Sequence, residues 1–166
     1  MTTHVQTLDH GRIRELRLAR PPVNALDPAL CRALITTLDA AVADGVDAVV
    51  LSGAPGIFSA GLDVPHLMAL GQDRQALHAG WGAFFGAARR LAALRIPVVA
   101  ALPGHAPAGG CVLSLCCDYR VMARSPDPQK PYASGMNETR VGLAVPGGAQ
   151  QQMRGVGGQH RVERLR

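Results

Sequence analysis

Aromatic residues are scarce in this 166-residue chain, where one Trp, two Tyr and three Phe make up 4% of the composition. Hydrophobic residues still reach 48%, so an interior has to be built mainly from Ala, Val and Leu, with close backbone approach supplied by some of the 19 Gly. Charged residues are also few, at 17%. Little charge beside so much apolar content excludes intrinsic disorder, and the lack of a three-residue glycine period excludes collagen. Cys31, Cys111, Cys116 and Cys117 show no CxxC spacing and no companion His at metal-ligand distance. That pattern argues for buried reduced thiols and against a zinc site or a disulfide framework. The amino-terminal run has no apolar h-region, and the longest uncharged apolar stretch, residues 96–117, is broken by Pro103, Gly104 and His105. Neither a secretory signal nor a membrane span is expected, and the location expected is cytoplasmic.

The net charge of +5 is unevenly placed. Residues 1–150 carry 13 Lys and Arg against 11 Asp and Glu, whereas residues 151–166 carry Arg154, Arg161, Arg164 and Arg166 against Glu163 alone. A basic tail without interleaved aromatics reads as a solvated segment, so nucleic acid is not an expected partner. An anionic small molecule fits the balance better. The length favours one domain, and no linker divides it.

Two strands, residues 4–8 and 12–19, are expected around the turn Asp9-His10-Gly11. Asp27-Pro28 is a helix start, and Leu30, Leu34, Ile35, Leu38, Ala41 and Val42 keep helical spacing up to Gly45. A buried strand over 47–52 then meets Gly53-Ala54-Pro55-Gly56, and Ile57-Phe58-Ser59 leads to a second turn at Gly61. Leu77, Trp81, Phe84, Phe85, Ala88, Leu91 and Leu94 form a helical stripe over 73–95, read as core with part of it free to face a ligand. Pro97 ends that helix. A strand over 98–102 follows, then a loop over 103–110, a short buried helix over 111–117, a strand over 119–122 and a surface loop over 124–131.

One unit therefore occurs twice: a buried strand, a glycine-containing loop and a helix start. In such loops free backbone N–H groups can converge on an anion. Ser59-Ala60-Gly61-Leu62-Asp63 and Ala108-Gly109-Gly110-Cys111 are candidate donors to one developing oxyanion, because a Cβ there would obstruct a ligand carbonyl. Tight turning alone is the other reading of each loop. Asp63 reads as a helix N-cap in preference to a catalytic acid. Ser114, His105 and Asp118 can be written as a hydrolase triad, but no GxSxG elbow surrounds the serine. Gly155-Val156-Gly157-Gly158 lacks the context of a phosphate cradle and reads as a loop.

Residues 57–64, Ile96-Pro97-Val98-Val99-Ala100 followed by 104–111, and 117–123 resemble the enoyl-CoA hydratase/isomerase (crotonase) superfamily in order and spacing. Residues 135–143, with Asn137-Glu138-Thr139, are similar to the corresponding element of its Δ3,Δ2-enoyl-CoA isomerases. The resemblance runs from about residue 5 to residue 146.

The resemblance implies an α/β fold, a ββα spiral core over 1–146, with 147–166 a divergent Gly-, Gln- and Arg-rich tail in place of carboxy-terminal helices. It implies an acyl-CoA thioester as substrate, with coenzyme A part of that substrate, no separate cofactor and no metal. The backbone N–H groups of Leu62 and Gly109 would form the oxyanion hole. Ala60, Gly61, Leu62, Asp63 and Val64 would lie along the CoA moiety, Asn137 beside the acyl chain, and Glu138 would be the catalytic base. Family members commonly form trimers, so a homo-oligomer is also implied. Hydratases of this family carry Glu where this chain has Val112, and that difference favours a double-bond shift over water addition. The alternatives are another acyl-CoA enzyme of the family, such as a hydratase, thioesterase or dehalogenase, or a truncated non-catalytic remnant.

Overall fold

A computed structural model describes residues 3–136 and residue 147. The expected hairpin is present: β1 (Val5–His10) and β2 (Ile13–Leu18) pair antiparallel, from Val5 opposite Leu18 to His10 opposite Ile13. Gly11, in the two-residue turn, has φ +63° with nothing near the position of an added Cβ. The left-handed conformation, and not space, is what calls for glycine there. Strand pleating then sets the faces, with Leu16 and Leu18 buried and Glu15 and Arg17 on the opposite side.

Helix α1 (Pro28–Ala43) begins where Asp27 accepts the Leu30 N–H at 2.7 Å, and Pro28 loses nothing by lacking a donor in the first turn. Its buried stripe is Leu30, Cys31, Leu34, Leu38 and Ala41. Strand β3 (Ala48–Ser52) comes next, then β4 (Gly56–Ile57), α2 (Val64–Ala69), α3 (Arg74–Ala92), β5 (Val98–Leu102), β6 (Gly104–Pro107), α4 (Gly109–Leu115), β7 (Tyr119–Met122) and β8 (Ser134–Gly135). The main sheet has the order β1-β2-β3-β5-β7, and every pairing after the hairpin is parallel. Leu16, Leu18, Val49, Leu51, Val98, Ala100 and Leu102 form the buried face of this sheet and belong to one core with the α1 stripe and with Phe84, Ala87 and Leu91 of α3. Each fully buried Leu or Phe of that layer contributes about 1.5–3 kcal/mol. No described helix is long and apolar enough to cross a membrane.

A second sheet, β4-β6-β8, corrects the expectation that 103–110 is one loop. Gly104–Pro107 is a strand, parallel to Gly56–Ile57 on one side and Ser134–Gly135 on the other, and α4 starts at Gly109. Gly104, Pro107 and two-residue partners carry no local strand signal; the pairing is imposed by the neighbouring chain segments. Strands β3 and β5 of the main sheet thus each hand the chain to a short strand of the second sheet, β4 and β6, before the next helix. The handover is crowded. A Cβ on Gly53 would stand 2.6 Å from the Ile57 carbonyl oxygen, and one on Gly104 would overlap the Gly56 carbonyl group.

Gly104→Ala is therefore expected to cost at least about 3 kcal/mol in urea unfolding, because backbone and not a pliable side chain fills the space. Gly82→Ala, in the exposed middle of α3 with nothing near an added Cβ, is expected to raise stability by about 0.5–1 kcal/mol in the same measurement.

Candidate functional site

The two glycine loops meet. An added Cβ on Gly61 would lie 2.9 Å from the Gly109 nitrogen, and one on Gly109 would lie 3.3 Å from the Leu62 nitrogen. Gly61 has φ +89°. Gly110 lets the start of α4 close on the first loop, since a Cβ there would be 2.5 Å from the Ser59 carbonyl oxygen. All three glycines permit close approach, and at Gly61 the conformation demands glycine as well.

What turns proximity into a site is the direction of two amides. A peptide group is planar and trans, so fixing its C=O fixes the N–H on the other side. The Gly61 carbonyl accepts the Leu26 N–H at 2.7 Å, which turns the Leu62 N–H away from Leu26. The Ala108 carbonyl accepts the Val112 N–H at 3.0 Å as the first bond of α4, which leaves the Gly109 N–H pointing out of the helix start. Among the described residues neither N–H has a hydrogen-bond partner. Ala108 itself is held at φ 47°, a region that costs a residue with a Cβ, and its N–H is tied to the Gly135 carbonyl at 2.8 Å. Two donors held side by side, with their orientation set by bonds at the far end of each peptide, can stabilise negative charge on one oxygen.

Residues 20–27 brace the first loop. Asn24, buried and at φ 50°, receives the Arg20 N–H on its side-chain oxygen at 2.8 Å and donates its amide to the Phe58 carbonyl at 3.0 Å. Ser59 Oγ donates to the Asn24 carbonyl at 2.7 Å and accepts the Gly61 N–H at 3.1 Å. Asp63 is the N-cap of α2, accepting the His66 N–H at 3.0 Å, and its other oxygen takes Arg20 Nη2 at 2.6 Å. Burial opposes ionisation of Asp63, but the His66 N–H and the Arg20 guanidinium outweigh it and hold the carboxyl below its ordinary value.

Of the residues singled out from sequence, Ala60, Gly61, Leu62, Asp63 and Val64 run in that order past the Gly109 contact, with Gly61 buried and Val64 exposed. Asn137 and Glu138 lie outside the described residues, as does the boundary at 146. The strand leading to them, β8, is paired to Ala106 and Pro107, and so reaches the site beside Ala108. Arg20 and Asn24 join the site without having been singled out from sequence. An Asn after Pro21-Pro22-Val23 is a signal for a left-handed turn, while nothing local marks Arg20 among the cations.

The triad reading fails on geometry: Ser114 Oγ donates to the Cys111 carbonyl, Asp118 accepts the Val98 N–H, and His105 Nδ1 accepts the Ala133 N–H. Burial pushes the Cys31 and Cys117 thiols up to about 12 and raises Cys116, which disfavours the nucleophilic thiolate at these three positions. Among the described residues no group of His, Cys, Asp and Glu could hold a metal ion. A cleft of about 470 Å³ lined by Glu15, Arg17, Ser52, Leu102 and Val121 shares no lining residue with the paired loops.

Residues 9–165 match the enoyl-CoA hydratase/isomerase family model. Mouse mitochondrial enoyl-CoA delta isomerase 1 is 35% identical over 144 residues, covering 86% of this chain and 48% of the mouse protein. A Mycobacterium leprae protein named "probable enoyl-CoA hydratase" is 33% identical over 151 residues, covering 89% of this chain and 55% of its own. The crystal structure of human mitochondrial Δ3-Δ2-enoyl-CoA isomerase superposes with a TM-score of 0.89 at 31% identity, over 98% of this chain and 62% of that one. The chain spans about half the length of these curated relatives. Its core is the crotonase fold of that structure, and a match of such extent, to the model and to relatives above 30% identity, places the chain in the enoyl-CoA hydratase/isomerase family.

Proposed function

We propose that the chain carries the machinery of a Δ3,Δ2-enoyl-CoA isomerase, moving a double bond of an acyl-CoA thioester by proton transfer from C2 to C4. The observation that carries this reading is the convergence of the Leu62 and Gly109 amides, oriented and without partners among the described residues. A proton next to a thioester is weakly acidic, so its removal needs the charge to move onto the thioester oxygen. Two N–H donors aimed at that oxygen stabilise the dienolate more than the uncharged substrate, which is what lowers a barrier.

The family resemblance supplies the base, Glu138. A single carboxylate is sufficient for this reaction, because the proton it takes at C2 can be returned at C4. No redox change accompanies the shift, so no cofactor beyond the CoA of the substrate is called for, and no Lewis acid is needed where the hole bears the charge. An apolar surrounding for Glu138 would raise its pKa and improve it as a base near neutrality. Asn137 would lie beside the acyl chain, and residues 60–64 along the CoA moiety.

Isomerisation is favoured over hydration by Val112. Water addition across the double bond needs a second acidic group to position and deprotonate the water. Val112, one turn into α4 at the position where hydratases of the family carry Glu, is a buried apolar residue of the core. The mouse and human relatives named as isomerases are in keeping with this choice, and the M. leprae relative keeps hydration as the second reading.

Incubation with a 3-enoyl-CoA should yield the 2-enoyl-CoA, monitored by absorbance of the conjugated thioester. Hydration of 2-enoyl-CoA without isomerisation would select the second reading instead. Glu138→Gln is expected to lower turnover by about 10²–10⁴ with acyl-CoA affinity kept within a few fold, as measured by steady-state kinetics and equilibrium binding. Gly109→Ala puts a Cβ 3.3 Å from the Leu62 nitrogen, and is expected to lower kcat by about 10²–10³, the loss typical of one oxyanion-hole donor.

A further inference from the structure

We infer that Arg20 is a positioning residue for the oxyanion site, an inference that rests on the acyl-CoA reading above and concerns how the Leu62 N–H is kept in place. Its side chain makes three contacts that join otherwise separate parts of the chain. Nη2 binds Asp63 at 2.6 Å, Nε lies 3.0 Å from an Asp27 carboxylate oxygen, and Nη1 donates to the Ala25 carbonyl at 3.0 Å. Asp27 and Asp63 are the N-caps of α1 and α2. One guanidinium thus ties the start of α1, the residues just before it and the start of α2 into a single unit.

That unit encloses the peptide that matters. The backbone of residues 25–27 is bound to residues 61–63 by one isolated parallel bridge, Leu26 with Leu62, whose two hydrogen bonds are Leu26 N–H to the Gly61 carbonyl and Asp63 N–H to the Leu26 carbonyl at 3.1 Å. Two bonds make a weak ladder, comparable with an isolated turn. Arg20 fastens the same two segments through side chains. It has 26% side-chain exposure, against 12% for Asp63 and 15% for Asp27, so these charges are partly withdrawn from water and their attraction is less screened than on an open surface.

The charge matters as well as the tether. Asp63 is the residue after Leu62, and an unpaired carboxylate there would oppose negative charge on an oxygen held by the Leu62 N–H. Pairing with Arg20 offsets that repulsion. The tether and the charge predict the same direction for loss of Arg20, but they separate when Asp63 is changed too: Asn keeps the helix cap and removes the charge.

The test uses the full chain with three variants, Arg20→Gln, Asp63→Asn and the two combined. It uses two readouts, steady-state isomerisation of a 3-enoyl-CoA and the Leu62 amide in protein labelled with ¹⁵N-leucine. Arg20→Gln is expected to lower kcat about tenfold with KM within about twofold, a loss of oriented hydrogen bonding in the transition state alone. The Leu62 amide resonance should shift and broaden, while the Leu51 amide, in the core, keeps both its position and its protection from exchange. Adding Asp63→Asn should recover part of the lost kcat, a coupling that a general loss of stability would not produce. Equal slowing of turnover and loss of protection at Leu51 would overturn the inference in favour of a purely structural role, as would an unaltered Leu62 amide. If the unchanged chain does not isomerise the substrate while Leu62 still responds to Arg20→Gln, the proposed reaction fails and the positioning role stands.

Discussion

The site depends on the stiffness of the peptide group. Two amide hydrogens can be aimed at one point only if each peptide plane is fixed from its carbonyl side, since a free plane would turn its donor toward water or toward another acceptor. The chain fixes one plane by an inter-segment bond, Leu26 N–H to the Gly61 carbonyl, and the other by the first bond of a helix, Val112 N–H to the Ala108 carbonyl. Both bonds point away from the site, so the orientation is set before any substrate arrives. This is the sense in which a donor pair is preorganised: no reorientation is needed when charge develops. The strained φ of Ala108 is consistent with that demand, because the turn into α4 has to leave the Gly109 N–H outside the helix while the Ala108 carbonyl enters it.

The crowding of the glycines is the other side of the same arrangement. The ββα path folds β3 and β5 sharply into short strands of a second sheet, and Gly53 and Gly104 sit at those corners against the backbone of residues 56–58. Gly110 lets the start of α4 approach Ser59, which is itself held by Asn24. A sequence poor in aromatics and rich in Gly and Ala suits such corners, in which main chain lies against main chain at Gly53, Gly61, Gly104 and Gly110.

Legibility in the sequence depends on the length of the element and the locality of its signal. The hairpin, α1, β3, α3, β5 and β7 all have either a periodic apolar stripe or a capping residue within a few positions, and the structure has each of them close to its expected limits. The second sheet has none of these. Gly56–Ile57 and Ser134–Gly135 are too short for alternation to register, and Gly104–Pro107 contains residues that argue against a strand. At the site, the two loops can be picked out because glycine at a strand-to-helix turn has a physical reason to be there. Their meeting cannot be, since it is a distance between residues nearly fifty positions apart, set by the stacking of two units. Arg20 is illegible for the same reason. Its meaning lies in Asp27 and Asp63 being brought to one guanidinium, and a cation seven positions before one carboxylate and 43 before the other has no local pattern.

The division of labour proposed between backbone and side chains would also account for relatives named as isomerases and as hydratases within one family. In the proposed reading, the backbone amides at Leu62 and Gly109 would serve any reaction that builds charge on a thioester oxygen, whichever side chains stand nearby, as long as the loops keep their contacts. The outcome of the reaction is decided by the acids and bases that reach the carbon atoms. Position 112 lies three residues beyond Gly109 on α4, so a carboxylate there would be carried by the same helix that presents one of the donors. In this chain the position is filled by a buried Val that packs with the core, and the helix gives that part of its surface to stability. On the proposed reading the choice of reaction is thereby linked to packing. A carboxylate at 112 would have to be hydrogen-bonded or reached by water to avoid the cost of a buried unpaired charge, and that requirement constrains the surrounding residues far more than the hole itself does.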